Sequence, residues 1–251
     1  MGKPASITQG NNKLGAMIYG WSLPASEKIC IGASALCAMY CYAKAGFFRM
    51  GNVKSSHQKN YQFSLTADFV DWMVATIVAL WIRVVRIHVG GDFYDAEYVE
   101  KWIEIVERCP RVQFFAYTRS WRDDECLPLL VRLAGLPNVQ MWWSIDRETG
   151  PAPLYRGIRR AYFAVNDIDA KNAPDDCDLV FRDDTNTEMK KANGVQVCPV
   201  ENGVQTQVPI TCSSCGICWN KAETTWEGAL SPFLEPDREI LAPEALELAN
   251  V

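Results

Sequence analysis

The sequence lacks the features that would place it in a membrane or outside the cell. Its most apolar stretch, residues 69–81, is too short to span a bilayer and contains Asp71. The opening residues, MGKPASITQGNNK, have no apolar core, so we expect no secretory signal and a cytoplasmic protein. No internal repeat or low-complexity linker is present, which excludes solenoid and fibrous architectures.

An excess of positive charge is also missing. The 251 residues carry a net charge of −5, which argues against a protein that coats DNA nonspecifically, although a local basic groove is compatible with it. Histidine is scarce: only His57 and His88 occur, and His88 is expected in the core because Ile87 and Val89 flank it. The length allows one large α/β domain or two small ones.

Cysteine, by contrast, is abundant and unevenly distributed. Ten cysteines without a secretory signal indicate a reducing compartment, where clustered thiols are more often metal ligands than disulfides. The first thiol group consists of Cys30, Cys37 and Cys41. The second thiol group consists of Cys198, Cys212, Cys215 and Cys218. The remaining cysteines, Cys109, Cys126 and Cys177, are scattered and expected to be ordinary packed residues.

Six apolar runs alternate with helical patterns along the chain. The runs cover residues 14–23, 84–89, 112–117, 138–145, 161–165 and 179–182. Strands that are apolar on both faces belong to parallel sheets covered by helices, so the class is α/β. Six such units predict a partial (β/α)6 TIM-like barrel over residues 1–189. Residues 190–251 are expected to form a C-terminal cysteine-rich module that ends in a helical segment.

The apolar spacing also predicts the helices. Helices are expected after a cap at Ser64 or Thr66, after a cap at Asp95, over residues 123–133 and over residues 153–159. The polar residues 54–62 are expected to form a loop.

Polar residues follow the apolar runs at the point where each strand ends. They are Gly90, Gly91, Asp92, Arg119, Ser144 and Asp146. In barrel-like α/β folds the carboxyl ends of the strands build the site. Three close thiolates from the first thiol group can hold three corners of a cube-shaped iron–sulfur cluster, which leaves its fourth iron free for chemistry. Glycines without side chains let the backbone approach such a ligand closely.

Two of these patterns resemble a known superfamily. The sequence Cys37-Ala-Met-Tyr40-Cys41 has an aromatic residue directly before the last cysteine, and Gly90-Gly91-Asp92 ends the second strand. Both resemble radical S-adenosylmethionine enzymes, although six and then three residues separate the cysteines here, where three and then two are usual. The segments CYA, VGGDF, FFAYTRS and CSSCGICW further resemble bacteriophage proteins of the gene-product-88 type.

The resemblance implies a chemistry. A [4Fe-4S] cluster on the first thiol group would bind the amino and carboxylate groups of S-adenosylmethionine and cleave it reductively to a 5′-deoxyadenosyl radical. An external one-electron donor of the flavodoxin or ferredoxin type is then required. The phage resemblance suggests a nucleobase, nucleotide or nucleic acid as the substrate.

The expected cofactor contacts follow from the same resemblance. Asp92 is a candidate for the amino group of S-adenosylmethionine, Arg119 for its carboxylate, and Ser144 or Asp146 for its ribose hydroxyls. Gly90 and Gly91 would let the cofactor approach the backbone, and Tyr40 would lie beside the cluster.

The second thiol group is a strong metal signal because four cysteines fall at Cys-x13-Cys-x2-Cys-x2-Cys. We expect an auxiliary [4Fe-4S] cluster, since the tight run resembles ferredoxin ligation. A structural zinc site with four thiolate ligands is the alternative. Two other functions therefore stay open: a peptide-modifying radical enzyme, and a non-catalytic zinc-binding interaction protein.

Overall fold

A seven-stranded sheet forms the centre of the computed structural model, which describes residues 4–183 and 187–221. The strands are β1 (Thr8–Gln9), β2 (Ile18–Gly20), β3 (Val84–Ile87), β4 (Gln113–Thr118), β5 (Val139–Ile145), β6 (Arg159–Ala164) and β7 (Leu179–Arg182). Strand β1 pairs antiparallel with β2, and β2 to β7 are parallel throughout. The predicted α/β class and its six parallel strands are therefore confirmed.

The strands lie side by side in the same order as in the chain, from β1 to β7. In barrels, each crossover adds the next strand at the same growing edge of the sheet, which gives this sequential order. In doubly wound folds, by contrast, the direction in which strands are added reverses once. Within the described residues β1 and β7 do not pair, so the sheet is open.

Six helices belong to the crossovers. They are α1 (Ala35–Met39), α2 (Gly51–Ser64), α3 (Phe69–Ala79), α4 (Ala96–Arg108), α5 (Cys126–Gly135) and α6 (Asp167–Lys171). Short 3₁₀ turns cover Tyr42–Lys44, Gly46–Arg49 and Ser120–Arg122. None of the described helices combines the length and the apolar character that crossing a membrane requires.

Two predicted connections were wrong. Residues 54–62, predicted as a loop, lie inside helix α2. Only a narrow strip of this helix, which includes Asn60 and Tyr61, is buried, so its sequence shows no clear helical spacing of apolar residues. Residues 153–159, predicted as a helix, form none: Pro151 and Pro153 restrict the backbone and Gly157 has a φ of 81°.

The helix caps were predicted with mixed success. Asp95 caps α4, and its carboxylate accepts a hydrogen bond from the Tyr98 N–H at 2.7 Å, as expected. Helix α3 begins after Asp68 and not after Ser64 or Thr66. Ser64 instead ends α2, where its hydroxyl is buried and bonds to the Tyr94 hydroxyl at 2.8 Å.

The two faces of the sheet are covered differently. The outer face carries Val85, Phe114 and Met141 and packs against the apolar sides of α3, α4 and α5. The inner face carries Val84, Phe115 and Trp142, whose side chains alternate with those of the outer face. Cysteines of the second thiol group, Cys198 and Cys218, pack on the inner face in place of a helix.

The C-terminal part of the chain adds little regular structure. It contains a small hairpin, β8 (Lys191–Ala192) with β9 (Val195–Gln196), and the single turn α7 (Cys212–Cys215). The Cys198 N–H donates to the Val180 carbonyl at 2.8 Å, so the hairpin leads directly onto β7. The boundary between residues 189 and 190 stays a prediction, and the expected C-terminal helical segment lies outside the described residues.

Candidate functional site

The first thiol group lies at the carboxyl edge of the parallel sheet. Cys30 belongs to the loop after β2, Cys37 lies on α1, and Cys41 directly precedes a 3₁₀ turn. All three side chains are free thiols and partly exposed. In α/β folds, ligands bind at this edge of a parallel sheet, so the first thiol group lies at the usual position of a ligand site.

Ser34 holds helix α1 in place. Its hydroxyl accepts a hydrogen bond from the Cys37 N–H at 2.9 Å and caps the helix. The same hydroxyl donates to the Asp146 carboxylate at 2.6 Å, across 112 positions of sequence. Glu148 adds a second anchor, because its carboxylate accepts from the Leu36 N–H at 2.7 Å. The end of β5 thus positions the helix that carries Cys37.

Asp146 also pairs with Arg119, whose guanidinium donates to the same carboxylate oxygen at 3.0 Å. The Asp146 side chain is fully buried and that of Arg119 is 11% exposed. The other Asp146 oxygen accepts the N–H groups of Glu148 and Thr149, so the carboxylate is well occupied by the protein itself. The Arg119 Nε, in contrast, is buried without a hydrogen-bond partner among the described residues.

Asp92 joins the ends of two strands. One carboxylate oxygen accepts the Phe93 N–H and the other accepts the Arg119 N–H, each at 2.8 Å. Burial raises the pKa of Asp92, and hydrogen bonds from Thr118 and these two N–H groups oppose the rise. Asp92 also acts electrostatically on Cys30, so its carboxylate borders the first thiol group.

Gly90 and Gly91 allow the thiol loop to pack closely against the end of β3. A Cβ at Gly91, where φ is 82°, would lie 2.6 Å from the Leu23 Cβ, and one at Gly90 would lie 3.2 Å from the Ala43 Cβ. The Gly90 carbonyl accepts the Leu23 N–H at 2.8 Å. Both glycines therefore serve protein packing, and their expected contact with a cofactor stays a prediction.

Gly32 is packed more closely against its neighbours than Gly90 or Gly91. A Cβ at this position would lie 1.9 Å from the Arg119 carbonyl oxygen, and the Gly32 carbonyl accepts from the Arg122 guanidinium at 2.8 Å. The loop between Cys30 and Cys37 is thus pressed against the end of β4.

The tyrosines on either side of Cys41 both reach the inner face. The Tyr40 ring is 6.4 Å from the Phe163 ring, and Arg86 donates to the Tyr42 hydroxyl at 3.1 Å. Ser144 shares the inner face with Trp142, and its hydroxyl makes no hydrogen bond within the described part of the chain. Tyr40 and Ser144 therefore both lie on the side where a ligand of the first thiol group would extend.

The thiols of the first group influence one another. Burial raises the pKa of Cys30 to about 12, and Asp92, Cys37 and Cys41 raise it further. Burial also raises the pKa of Cys37, whereas the Arg119 guanidinium lowers it. A bound metal centre would add positive charge to that of Arg119 and hold these thiols as thiolates.

The second thiol group is anchored to the inner face by backbone contacts. The Cys212 N–H donates to the Lys13 carbonyl at 2.8 Å, and the Trp142 indole N–H donates to the Cys218 carbonyl at 2.9 Å. Burial raises the pKa of Cys218 to about 11, and the neighbouring Tyr117 hydroxyl opposes the rise. Cys198, Cys212 and Cys215 each interact electrostatically with another member of the group.

Arg86 lies beside the second thiol group and also contacts Tyr42, which follows Cys41 in the chain. Its guanidinium is 5.6 Å from the centroid of the Tyr117 ring, and it acts electrostatically on Cys212 and Cys218. Its Nε is buried without a partner, and no carboxylate of the described residues pairs with it. A buried cation without a counter-ion is costly, so the inner face favours an anionic group beside Arg86.

The two thiol groups supply the kind of donor that iron–sulfur clusters require. Across residues 4–183 and 187–221, no three His, Cys, Asp or Glu side chains are grouped to hold one metal ion. A zinc site needs its ligands converged at about 2.3 Å from one centre. In a four-iron cluster each thiolate binds a different iron, so the sulfurs stand further apart. The first thiol group offers three free thiols that act electrostatically on one another.

Sequence reasoning missed several residues of this site. Ser34, Glu148 and Arg122 act through partners about a hundred positions away, and no local pattern reveals such pairs. Arg86 had a visible signal, because a charged residue interrupts the apolar run of β3. His88 is in the core, as expected, with its ring 4.6 Å from that of Phe93.

Comparisons with known proteins identify the family. The profile of the family described as gene product 88 matches residues 4–221, and the chain therefore belongs to that family. The Gene 88 protein of Mycobacterium phage L5 is 27% identical over 171 residues, which cover 62% of this chain and 70% of that protein. The Gene 88 protein of Mycobacterium phage D29 is 26% identical with the same coverage. No solved structure matches the chain.

Proposed function

We propose that the chain is a radical S-adenosylmethionine enzyme whose first thiol group binds a [4Fe-4S] cluster. One observation carries the proposal: Cys30, Cys37 and Cys41 meet Asp92 and Arg119 at the carboxyl edge of the parallel sheet. The sequential strand order supports the related proposal that residues 1–189 form a partial barrel of six β/α units.

The bound cluster would supply one electron that breaks a C–S bond of S-adenosylmethionine, giving methionine and a 5′-deoxyadenosyl radical that takes a hydrogen atom from the substrate. A donor of the flavodoxin or ferredoxin type would replace that electron. The task of the chain's own residues is then to hold the cofactor and to orient it.

Arg119 is suited to bind the cofactor carboxylate. Asp146 fixes its guanidinium at one nitrogen, and the Nε remains to donate to a ligand. Arg119 also lowers the pKa of Cys37, so the same cation favours that thiolate. Asp92 keeps acceptor capacity beyond its two backbone N–H bonds and can receive the cofactor ammonium.

Asp146 is better explained as a positioning residue than as a ribose ligand. Its carboxylate already receives Ser34, Arg119 and the N–H groups of the following turn. Ser144, whose hydroxyl makes no hydrogen bond among the described residues, is the better candidate for the ribose.

The second thiol group is proposed to hold an auxiliary [4Fe-4S] cluster. Four thiolates would close this cluster to substrate and restrict it to electron transfer or structure. The unpaired charge of Arg86 supports an anionic centre at this place.

The test is the chemistry of anaerobically purified protein. About eight irons per chain with matching sulfide are expected, and dithionite with S-adenosylmethionine should yield 5′-deoxyadenosine. Replacing Cys30, Cys37 and Cys41 with alanine should remove about four irons and all 5′-deoxyadenosine. Cys109→Ala, which changes a buried cysteine elsewhere, is the matched control and should keep both.

Two results would contradict the proposal. Zinc without iron would instead establish a zinc-binding protein. Iron without 5′-deoxyadenosine would show that the clusters do not act on S-adenosylmethionine.

A further inference from the structure

Charge is segregated along this acidic chain. The first 67 residues contain seven Lys or Arg and a single acidic residue, Glu27, whereas the remaining residues contain 18 basic and 29 acidic side chains. No acidic residue occurs between Glu27 and Asp68, and the whole first thiol group falls in that interval. The proposed reactive site is therefore carried by a positively charged segment.

The positive charges of this segment are not neutralised locally. Lys44, Arg49, Lys54 and Lys59 are all exposed, and within the described residues none of them forms an ion pair. Lys101, in contrast, pairs with Glu97 four positions away. Free cations at one surface favour an anionic partner, because its counter-ions are released when it binds.

Large apolar side chains are exposed among these cations. Phe47 is 82% exposed, Met39 76% and Tyr42 54%. We call the exposed side chains of residues 39–59 the basic face. Ring contacts join its parts, since the Phe48 ring is 5.8 Å from that of Tyr42 and 5.7 Å from that of His57.

A small pocket of about 240 Å³ opens beside the basic face. Its walls come from the edge of the sheet and from helix α2, and include Thr8, Ser22, Asn52, Ser56 and His57. These are neutral hydrogen-bonding groups, suited to the edge of a base or to a ribose and not to a second charge.

The unpaired cations, the exposed rings and the pocket together distinguish between two kinds of anionic partner. An acidic electron-donor protein would match the charge and pack against the exposed rings, but it would leave the pocket empty. A nucleic acid matches the charge through its phosphates and the exposed rings through base stacking, and the pocket accommodates one base. A base that undergoes chemistry must also leave its stack, which single strands permit at the lowest cost.

We propose that the basic face binds single-stranded nucleic acid and presents one nucleotide to the first thiol group. The proposal names the substrate class of the reaction proposed above and rests on it. Binding itself, however, needs no cluster and can be measured on its own.

The experiment measures fluorescence anisotropy of a labelled single-stranded DNA of about 20 nucleotides, long enough for known single-strand sites, against the full chain at several salt concentrations. Replacing Lys44, Arg49 and Lys54 with alanine should weaken binding at least tenfold and lower the slope of log affinity against log salt by about 2. Phe47→Ala should weaken binding about fivefold or more without changing that slope.

A charge-matched control distinguishes binding at the basic face from nonspecific electrostatic attraction between the chain and DNA. Replacing Arg156, Lys190 and Lys191 with alanine removes the same charge from exposed positions elsewhere and should leave binding unchanged. Equal losses in both triple variants would overturn the proposal, because they would show attraction without a site. Absence of binding by the native chain would overturn it as well.

Two further outcomes are distinguishable. If the native chain binds no oligonucleotide but the Lys44, Arg49 and Lys54 variant accepts electrons from flavodoxin more slowly, the basic face is a donor-docking surface and the proposal is wrong. If binding behaves as expected and no 5′-deoxyadenosine forms, the nucleic-acid surface stands and the radical function fails.

Discussion

Arg86 lies over the ring of Tyr117, with its guanidinium carbon 5.6 Å from the ring centroid. Tyr117 in turn stacks on Trp142 at 5.5 Å, and Trp142 donates to the Cys218 carbonyl. The cation is thus built into the layer that holds the second thiol group. The face of an aromatic ring stabilises a cation only partly, so an anionic group beside Arg86 would stabilise it further.

Replacing Arg86 should selectively disturb the auxiliary cluster that we propose for the second thiol group. We expect Arg86→Met to reduce iron from about eight to about four per chain, because the thiolates lose their neighbouring cation. Arg86→Lys keeps the charge and should retain more iron. Arg83→Met, at an exposed position directly before β3, is the control. A variant that only unfolds more easily, with its iron complete, would show that Arg86 is structural.

Ser34 and Asn166 allow a matched test of helix capping. Each caps a five-residue helix through its side chain. Either alanine variant should lower the free energy of unfolding by about 1 kcal/mol. Only Ser34→Ala should also lose iron from the first thiol group, because Ser34 links Asp146 to the helix of Cys37. Equal iron in both variants would contradict a positioning role for Ser34.

Gly32 should tolerate no side chain. Gly32→Ala places a methyl group 1.9 Å from the Arg119 carbonyl, so the loop or the end of β4 must move. We expect a loss of about 1–3 kcal/mol in the free energy of unfolding, as for other overpacked sites, together with weaker binding of S-adenosylmethionine. Gly135→Ala has open space around its Cβ and should be neutral or slightly stabilising. Calorimetry and a binding titration measure both effects.

His88 should make stability depend on pH. Burial, helped by Arg86, lowers the pKa of His88 to about 3 in the folded chain, against an ordinary value of 6.5. Between these values the unfolded chain binds the additional proton, so stability falls as the pH drops through this window. Asparagine also tolerates the positive φ of 64° at this position.

The measurement compares the native chain with His88→Asn. Urea unfolding at several pH values between about 4 and 7 should show the stability difference shifting in favour of the variant as the pH falls. His57→Asn, at a partly exposed position, should give a smaller change. Parallel curves for the native chain and His88→Asn would show that His88 is not neutral when folded.

The sheet was predictable from sequence because its strands are buried on both faces. Runs such as residues 84–89 and 138–145 are mostly apolar on both faces, and such runs are typical of buried strands in parallel sheets. Helix α2 was not predictable in the same way, since only a narrow strip of it is buried. Its polar composition is typical of both a loop and a surface helix.

The candidate site was predictable only where its residues are close in sequence. The first thiol group falls within twelve positions, and Asp92 directly follows a strand. The arrangement around it depends on pairs such as Ser34 with Asp146, which are 112 positions apart. The register in which the parallel strands pair brings such residues to one edge of the sheet. Register depends on the whole fold, so local sequence patterns do not reveal it.

The strand order has a consequence for how the protein matures. Each parallel strand pairs with the one made just before it, so the sheet can assemble during translation, from the N-terminus onward. Its inner face, with Arg86, stays open to the cell until the segment that carries Cys212 and Cys218 has been synthesised. Under the proposed function, delivery of metal to the second thiol group therefore belongs to the last stage of biogenesis, when that segment closes over the sheet.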